Sequence, residues 1–211
     1  VLALVIVCGL GLHLLTLTAM FAANRGKGAA LQAKYAALPL PAELPRVLLQ
    51  LPPFTEAGVV ERALEAAAAI DWPRDRLRIQ LLDDSTDGTV DIARAKVEAL
   101  KARGVDAEVI HRTNREGFKA GALKNGLLYD DCEFIAIFDA DFIPPTDILK
   151  RTIPTLANDS SLAYVQTRWD HINEGANLLT RAQSLMLDAH FAVEQAARNW
   201  SGLFMPYNGT G

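Results

Sequence analysis

Four short apolar runs recur along this chain, each followed by polar or acidic residues and separated from the next by a stretch with helical spacing. The runs are Val47 to Leu51, Leu77 to Leu82, Ala107 to His111 and Glu133 to Phe138. Between them lie Ala-rich Glu56 to Ile70, then Asp87 to Arg103 closed by Gly104, and Phe118 to Tyr129. Strands alternating with helices imply an α/β fold, with a mostly parallel sheet and helices on both faces. Beyond Thr146 the pattern predicts a short helix to Leu156, a strand around Leu162 to Thr167 and a long helix from Glu174 to Arg198. In that helix Leu178, Leu179, Ala182, Leu185, Met186, Ala189 and Val193 fall on one face. The face is expected to pack on a core, with a position on a membrane surface as the alternative.

Parallel strands end on one side of a sheet, so the residues that follow them converge on one crevice. The chain thereby places Pro53-Phe54-Thr55-Glu56, Asp83-Asp84-Ser85, Arg112 to Lys119 and Asp139-Ala140-Asp141 along a single rim. Asp139 and Asp141 follow an apolar strand and are separated by one residue, so both can approach a divalent ion. Hard carboxylate oxygens suit Mg²⁺ or Mn²⁺ carrying phosphates. The plainer reading of Asp-x-Asp is a pair of helix-capping acids. Asp83-Asp84-Ser85-Thr86-Asp87-Gly88-Thr89 ends a strand and opens a helix, where capping needs only one of its polar side chains. The adjacent acids are left over, and Asp84 or Asp83 could accept a hydrogen bond from a nucleobase imide. Lys119 lies at a helix start, where a cation opposes the macrodipole unless a phosphate is bound there; a solvated surface lysine is the other reading.

The first part of the chain is of a different kind. Val1 to Ala23 contains no charged residue and is long enough, at about 1.5 Å per residue, to cross a hydrocarbon layer of roughly 30 Å. It lacks the basic leader and short apolar core of a signal peptide, which favours a transmembrane helix. Arg25, Lys27 and Lys34 follow before the first acid, Glu43, so the positive-inside tendency puts the remainder in the cytoplasm. A Pro-containing linker over residues 24–45 leads to an α/β domain over residues 46–211. The formal charge of −4 gives no electrostatic reason to expect nucleic acid. Cys8 and Cys132 are the only cysteines, too few for a disulfide framework or a zinc site. The usual Walker, dinucleotide-binding and Gly-x-Ser-x-Gly signatures are missing.

Taken together, Pro53-Phe54-Thr55-Glu56, Leu82-Asp83-Asp84-Ser85-Thr86-Asp87, Lys119-Ala120-Gly121-Ala122-Leu123-Lys124, Ala136-Ile137-Phe138-Asp139-Ala140-Asp141-Phe142 and Phe191-Ala192-Val193-Glu194-Gln195 resemble family 2 glycosyltransferases. They most resemble the cellulose-synthase-like group that includes glucomannan mannosyltransferases and xyloglucan-backbone glucan synthases. The resemblance runs from Arg46 to Gly211 and implies a GT-A fold with a nucleotide sugar across the strand ends. It further implies that Phe54 and Glu56 line the base and ribose pocket and that Asp83 or Asp84 binds the base. Lys119 would contact the diphosphate or sugar. Asp139 and Asp141 would hold the metal, Asp139 also lying against the donor. Asn208-Gly209-Thr210 matches a segment facing the donor sugar.

Thr55 stands where the family usually has Asn. The Thr-Glu-Asp segment carrying the catalytic base and the Gln-x-x-Arg-Trp segment are expected beyond Gly211, so the chain reads as the N-terminal part of a longer protein. Gln166-Thr167-Arg168-Trp169 has the wrong spacing for the latter and reads as a core strand and its edge, with sugar contact by Arg168 or Trp169 as the alternative. The expected activity is inverting transfer of a hexose from UDP-glucose or GDP-mannose to a β-linked glycan at a membrane. The alternatives are single-sugar transfer to a lipid acceptor (glycolipid or polyprenyl phosphate) and an inactive nucleotide-sugar-binding or assembly subunit.

Overall fold

A computed structural model describes residues 1–210. The chain opens with helix α1, Leu2–Ala36, and forms two compact units. Pro39–Val165 makes one, joined by Gly209 and Thr210, and Val1–Leu38 with Gln166–Asn208 makes the other.

The first of these units is the expected α/β layer structure. Strands β1 (Val47–Leu51), β2 (Leu77–Asp83), β3 (Ala107–His111) and β4 (Phe134–Ile137) form one sheet in the order β3-β2-β1-β4, and every pairing is parallel. Helices α2 (Val60–Ala68), α3 (Thr89–Ala102) and α4 (Phe118–Gly126) make the crossovers, and α5 (Ile148–Asn158) follows β4. The chain builds outward from β1 to β3, then returns to place β4 on the other side of β1. Such a reversal opens a crevice beyond the carboxyl ends of the two strands that flank it, here β1 and β4.

The two faces of the sheet are held by different means. On one face Val47, Leu49, Leu51, Ile79 and Leu81 meet Val60, Ala63, Leu64 and Ala67 of α2 and Ala93, Val97 and Leu100 of α3 in a continuous core. The helix residues recur at three- and four-residue spacing and so form one stripe. Each large aliphatic side chain buried there contributes about 1.5–3 kcal/mol. The other face carries Gln50 and Gln80, buried side by side in register. Gln50 Nε2 donates to Gln80 Oε1 at 3.1 Å, and Gln80 Nε2 donates to the Gly126 carbonyl at 3.2 Å and to Glu108 Oε1 at 2.9 Å. The ladder thus reaches the final carbonyl of α4, a group a helix end leaves without an intrahelical partner. A Cβ on Gly126 would stand 2.5 Å from Gln50 Nε2, so glycine is what lets α4 sit this close.

In the other unit, α1 continues to Ala36, and residues 24–36, expected as linker, are helical. No proline interrupts the chain before Pro39, and the stretch is rich in Ala, with Arg25, Lys27, Leu31, Gln32 and Lys34 beside them, all of which favour helix. Its apolar stretch is long enough to cross a membrane by length and composition. Near Phe21, which stacks on Trp200 with ring centroids 5.2 Å apart, it meets α7 (Ala196–Trp200). Asn24 Nδ2 donates to Ser201 Oγ at 3.2 Å and Lys27 Nζ to the Trp200 carbonyl at 2.7 Å.

Two further expectations for this region are corrected. No strand forms at Leu162 to Thr167, and Gln166 to Trp169 is irregular chain. Arg168 pairs with Asp188 at 2.5 Å, and Trp169 lies 5.2 Å from Phe191. The long helix expected from Glu174 is instead α6 (Leu178–Asp188), a π-helical segment Ala189–Gln195, and α7. Asn177 caps α6 by accepting from the backbone of Leu179 and Thr180 at 2.9 and 3.0 Å. The apolar stripe of α6 does not face a core. Leu178, Leu179, Leu185 and Met186 are 61–86% exposed, and the buried positions are Ser184, Phe191, Gln195 and Ala197.

Candidate functional site

The carboxyl ends of the strands carry the polar residues that the sequence singles out. Asp83 is the last residue of β2 and lies opposite His111, the last of β3. Its Oδ2 is 2.7 Å from His111 Nδ1, and its Oδ1 accepts from the Ser85 amide at 3.3 Å. Asp84 receives a two-pronged contact from Arg112, Nε to Oδ1 at 2.7 Å and Nη2 to Oδ2 at 2.5 Å. Both carboxylates are therefore engaged within the protein, Asp83 with its side chain fully buried and Asp84 nearly so.

Arg112 does more than neutralise Asp84. Its Nη1 donates to the Glu116 carbonyl at 3.3 Å and its Nη2 to the Phe118 carbonyl at 3.2 Å. The loop between β3 and α4 is thus tied to the end of β2. Asp84 contributes further to the guanidinium, whose pKa it raises by accepting that hydrogen bond. The loop ends in Gly117 and Phe118, both with positive φ (72° and 50°), a strained conformation for Phe118.

Just beyond β1, Thr55 also has positive φ (55°), and its amide donates to Ser85 Oγ at 2.8 Å, so the segments that follow β1 and β2 are joined. The Arg115 guanidinium lies over the Phe54 ring, 3.2 Å from its centroid. Arg112, His111, Ser85 and Arg115 were not identified individually from the sequence. Their roles depend on which strand ends are neighbours, and no local pattern encodes that.

Glu56, Lys119, Asp139 and Asp141 form the other half of the site, over the β1/β4 crevice. Lys119 Nζ pairs with Asp139 Oδ1. The Asp139 amide donates to Thr210 Oγ1 at 2.9 Å, and Thr210 Oγ1 in turn donates to the Ile137 carbonyl at 3.2 Å. Burial pushes the Glu56 carboxyl pKa up, and Asp141 and Asp139 push it further, while Lys119 pulls the other way. Glu56 Oε2 is buried with no hydrogen-bond partner among the described residues. Asp141 is exposed.

This donor set fits a hard divalent cation in part. Three carboxylates influence one another with a single ammonium between them, an arrangement short of positive charge. No group of three His, Cys, Asp or Glu side chains is placed to hold a metal among the described residues. The protein would therefore supply one or two carboxylates and leave the remaining positions to phosphate and water, which is how Mg²⁺ and its relatives are commonly held.

With this geometry in hand, the comparison with known proteins is decisive on family. The sequence profile of Glycosyl transferase family 2 matches residues 51–205. The chain belongs to this family. Among curated relatives of this glycosyltransferase, "Probable glucomannan 4-beta-mannosyltransferase 11" of Oryza sativa subsp. japonica is 47% identical over 170 residues, covering 79% of this chain and 30% of that protein. "Glucomannan 4-beta-mannosyltransferase 9" of Arabidopsis thaliana is 44% identical over 170 residues, covering 79% and 32%. The chain thus spans about a third of the length of the curated relatives it matches. The solved structure of the mannosyltransferase PcManGT from Pyrobaculum calidifontis, in complex with GDP-Man and Mn²⁺, matches with a TM-score of 0.52 and 30% identity, over 68% of this chain and 44% of that one. The parallel sheet of this family 2 member is accordingly GT-A-like, as the sequence resemblance implies.

Proposed function

We propose that this chain is the donor-binding part of a membrane glycosyltransferase that moves a hexose from a nucleotide sugar to a growing β-linked polysaccharide. The observation that carries the reading is the meeting of Glu56, Lys119 and Asp139 over the crevice where the strand order reverses. In a doubly wound sheet that crevice is where nucleotides bind. Family membership and the names of the curated relatives support the chemistry, and those names together with the GDP-Man complex favour GDP-mannose over UDP-glucose as donor.

Each side chain has a role its surroundings support. Phe54 offers an aromatic face to the base, and Glu56 lies toward the ribose. Asp84, fixed by Arg112, presents an oriented acceptor edge, and Asp83 anchors the end of β2 through His111. Lys119 offers an ammonium to the diphosphate at the positive end of α4. Asp139 and Asp141 would hold Mn²⁺ or Mg²⁺, which when bound neutralises charge developing on the departing diphosphate. The general base that deprotonates the acceptor hydroxyl is assigned, from the family resemblance, to a segment downstream of Gly211.

The long apolar α1 supports membrane attachment, and Arg25, Lys27 and Lys34 at its end support a cytoplasmic position for the α/β unit. The exposed Leu178, Leu179, Leu185 and Met186 are then assigned to the lipid surface.

Calorimetry with GDP-mannose and UDP-glucose in the presence of Mn²⁺ tests the donor site. Asp139→Asn is expected to weaken metal-dependent nucleotide binding at least tenfold; unchanged affinity would remove Asp139 from the metal site. Removing one ligating carboxylate takes away both charge and coordination, which sets the size of that loss.

A further inference from the structure

The ion pair between Lys119 and Asp139 joins the residue proposed to hold a diphosphate to a residue proposed to hold a metal. Lys119 is in the first turn of α4, where the helix dipole disfavours a cation. Its ammonium is held there by Asp139. The two side chains are 36% and 35% exposed, so the pair is accessible to exchange. Asp139 itself is fixed at its backbone by Thr210. The Gly209 backbone runs close by, since a Cβ there would be 4.0 Å from Lys119 Nζ. Glu56, Asp139 and Asp141 leave more negative charge in the crevice than one ammonium offsets.

A divalent cation binding to Asp139 through the oxygen that Lys119 occupies must displace the ammonium. Displaced, that ammonium loses its directly paired carboxylate while still standing at the positive end of a helix. A diphosphate arriving at the α4 N-terminus supplies the missing anion. The same diphosphate supplies oxygen ligands that the protein lacks, because no complete metal cluster exists among the described residues. The cost of opening the pair is therefore met only when nucleotide and metal arrive together.

We propose that Lys119 is the coupling residue of this site: paired with Asp139 it keeps one metal-binding carboxylate closed to a free divalent cation, and transfer of its ammonium to a diphosphate opens that carboxylate. The site thereby selects the metal–nucleotide combination over free metal. This inference rests on the nucleotide-sugar reading above and adds to it a sign: Lys119 opposes metal binding in the absence of nucleotide and supports nucleotide binding.

The test is a Mn²⁺ titration of the whole chain in detergent, followed by electron paramagnetic resonance of free Mn²⁺, without nucleotide. Lys119→Met is expected to bind Mn²⁺ roughly fivefold more tightly than the wild type, the scale of one partly exposed ion pair, and Lys119→Arg to remain near the wild type. The gain must disappear when Asp139→Asn is combined with Lys119→Met, which separates a direct contact from a general change in field. Calorimetry should show GDP or UDP binding more weakly to Lys119→Met. Equal or weaker Mn²⁺ binding by Lys119→Met, or a gain that persists beside Asp139→Asn, overturns the coupling even if nucleotide binds normally. Failure of the wild type to bind either nucleotide in Mn²⁺ overturns the proposed function instead. Circular dichroism of each variant establishes that it is folded before titration.

Discussion

Replacing Arg112 by Met keeps the aliphatic stem and removes the guanidinium that holds Asp84. The Asp84 side chain is 6% exposed and receives two charge-assisted hydrogen bonds at 2.7 and 2.5 Å. Breaking such a pair by removing one partner costs about 3–5 kcal/mol, chiefly because the other charge is stranded. The expected loss is therefore about 3–5 kcal/mol.

Urea unfolding followed by Trp72 fluorescence, with Trp169 and Trp200 changed to Phe, reads this unit alone, because Trp72 is buried in its core and donates to the Pro45 carbonyl at 3.1 Å. A loss under about 1 kcal/mol, the range of an exposed pair, would refute the assignment of Arg112 as the anchor of the buried Asp84.

Two other outcomes are expected. Burial and the neighbouring Asp141 and Asp139 raise the Glu56 pKa, so the ionised carboxylate lowers folded stability once pH exceeds the ordinary glutamate range. Glu56→Gln should therefore raise the melting temperature at pH 7 and lose that advantage as pH falls to about 4; a lower melting temperature at pH 7 would contradict it. On α6, a nitroxide attached at Met186→Cys, with Cys8 and Cys132 changed to Ala, should in lipid vesicles collide more with oxygen than with a water-soluble nickel chelate. The reverse preference would show that face to be in water.

Much of the α/β unit could be read from its residues in order. The strands β1, β2 and β3 fall within a residue of the apolar runs that announce them. Gly104 takes positive φ (76°) just past α3, the place such a glycine is expected. Helix α2 begins at Val60 rather than Glu56, which leaves Glu56 in a turn, free to reach the crevice. The expected strand near Leu162 failed because apolar composition alone does not supply a neighbour to pair with. The stripe on α6 was placed on a core for a related reason: periodicity shows that a face is apolar and does not reveal whether protein or lipid will cover it.

By itself the sequence determined which residues stand at the ends of strands, because alternating runs and breakers are local. Asp83, Asp84, Asp139 and Asp141 were visible that way, and Lys119 at the start of a helix. Tertiary structure decided what each faces. The order β3-β2-β1-β4 put Glu56 beside Asp139. The β2/β3 register put His111 opposite Asp83, and Arg112 bridged Asp84 to the α4 loop. The pairings of Asp83 with His111 and of Asp84 with Arg112 join residues 28 positions apart through packing and register, and interactions at such range leave no periodic trace in the chain.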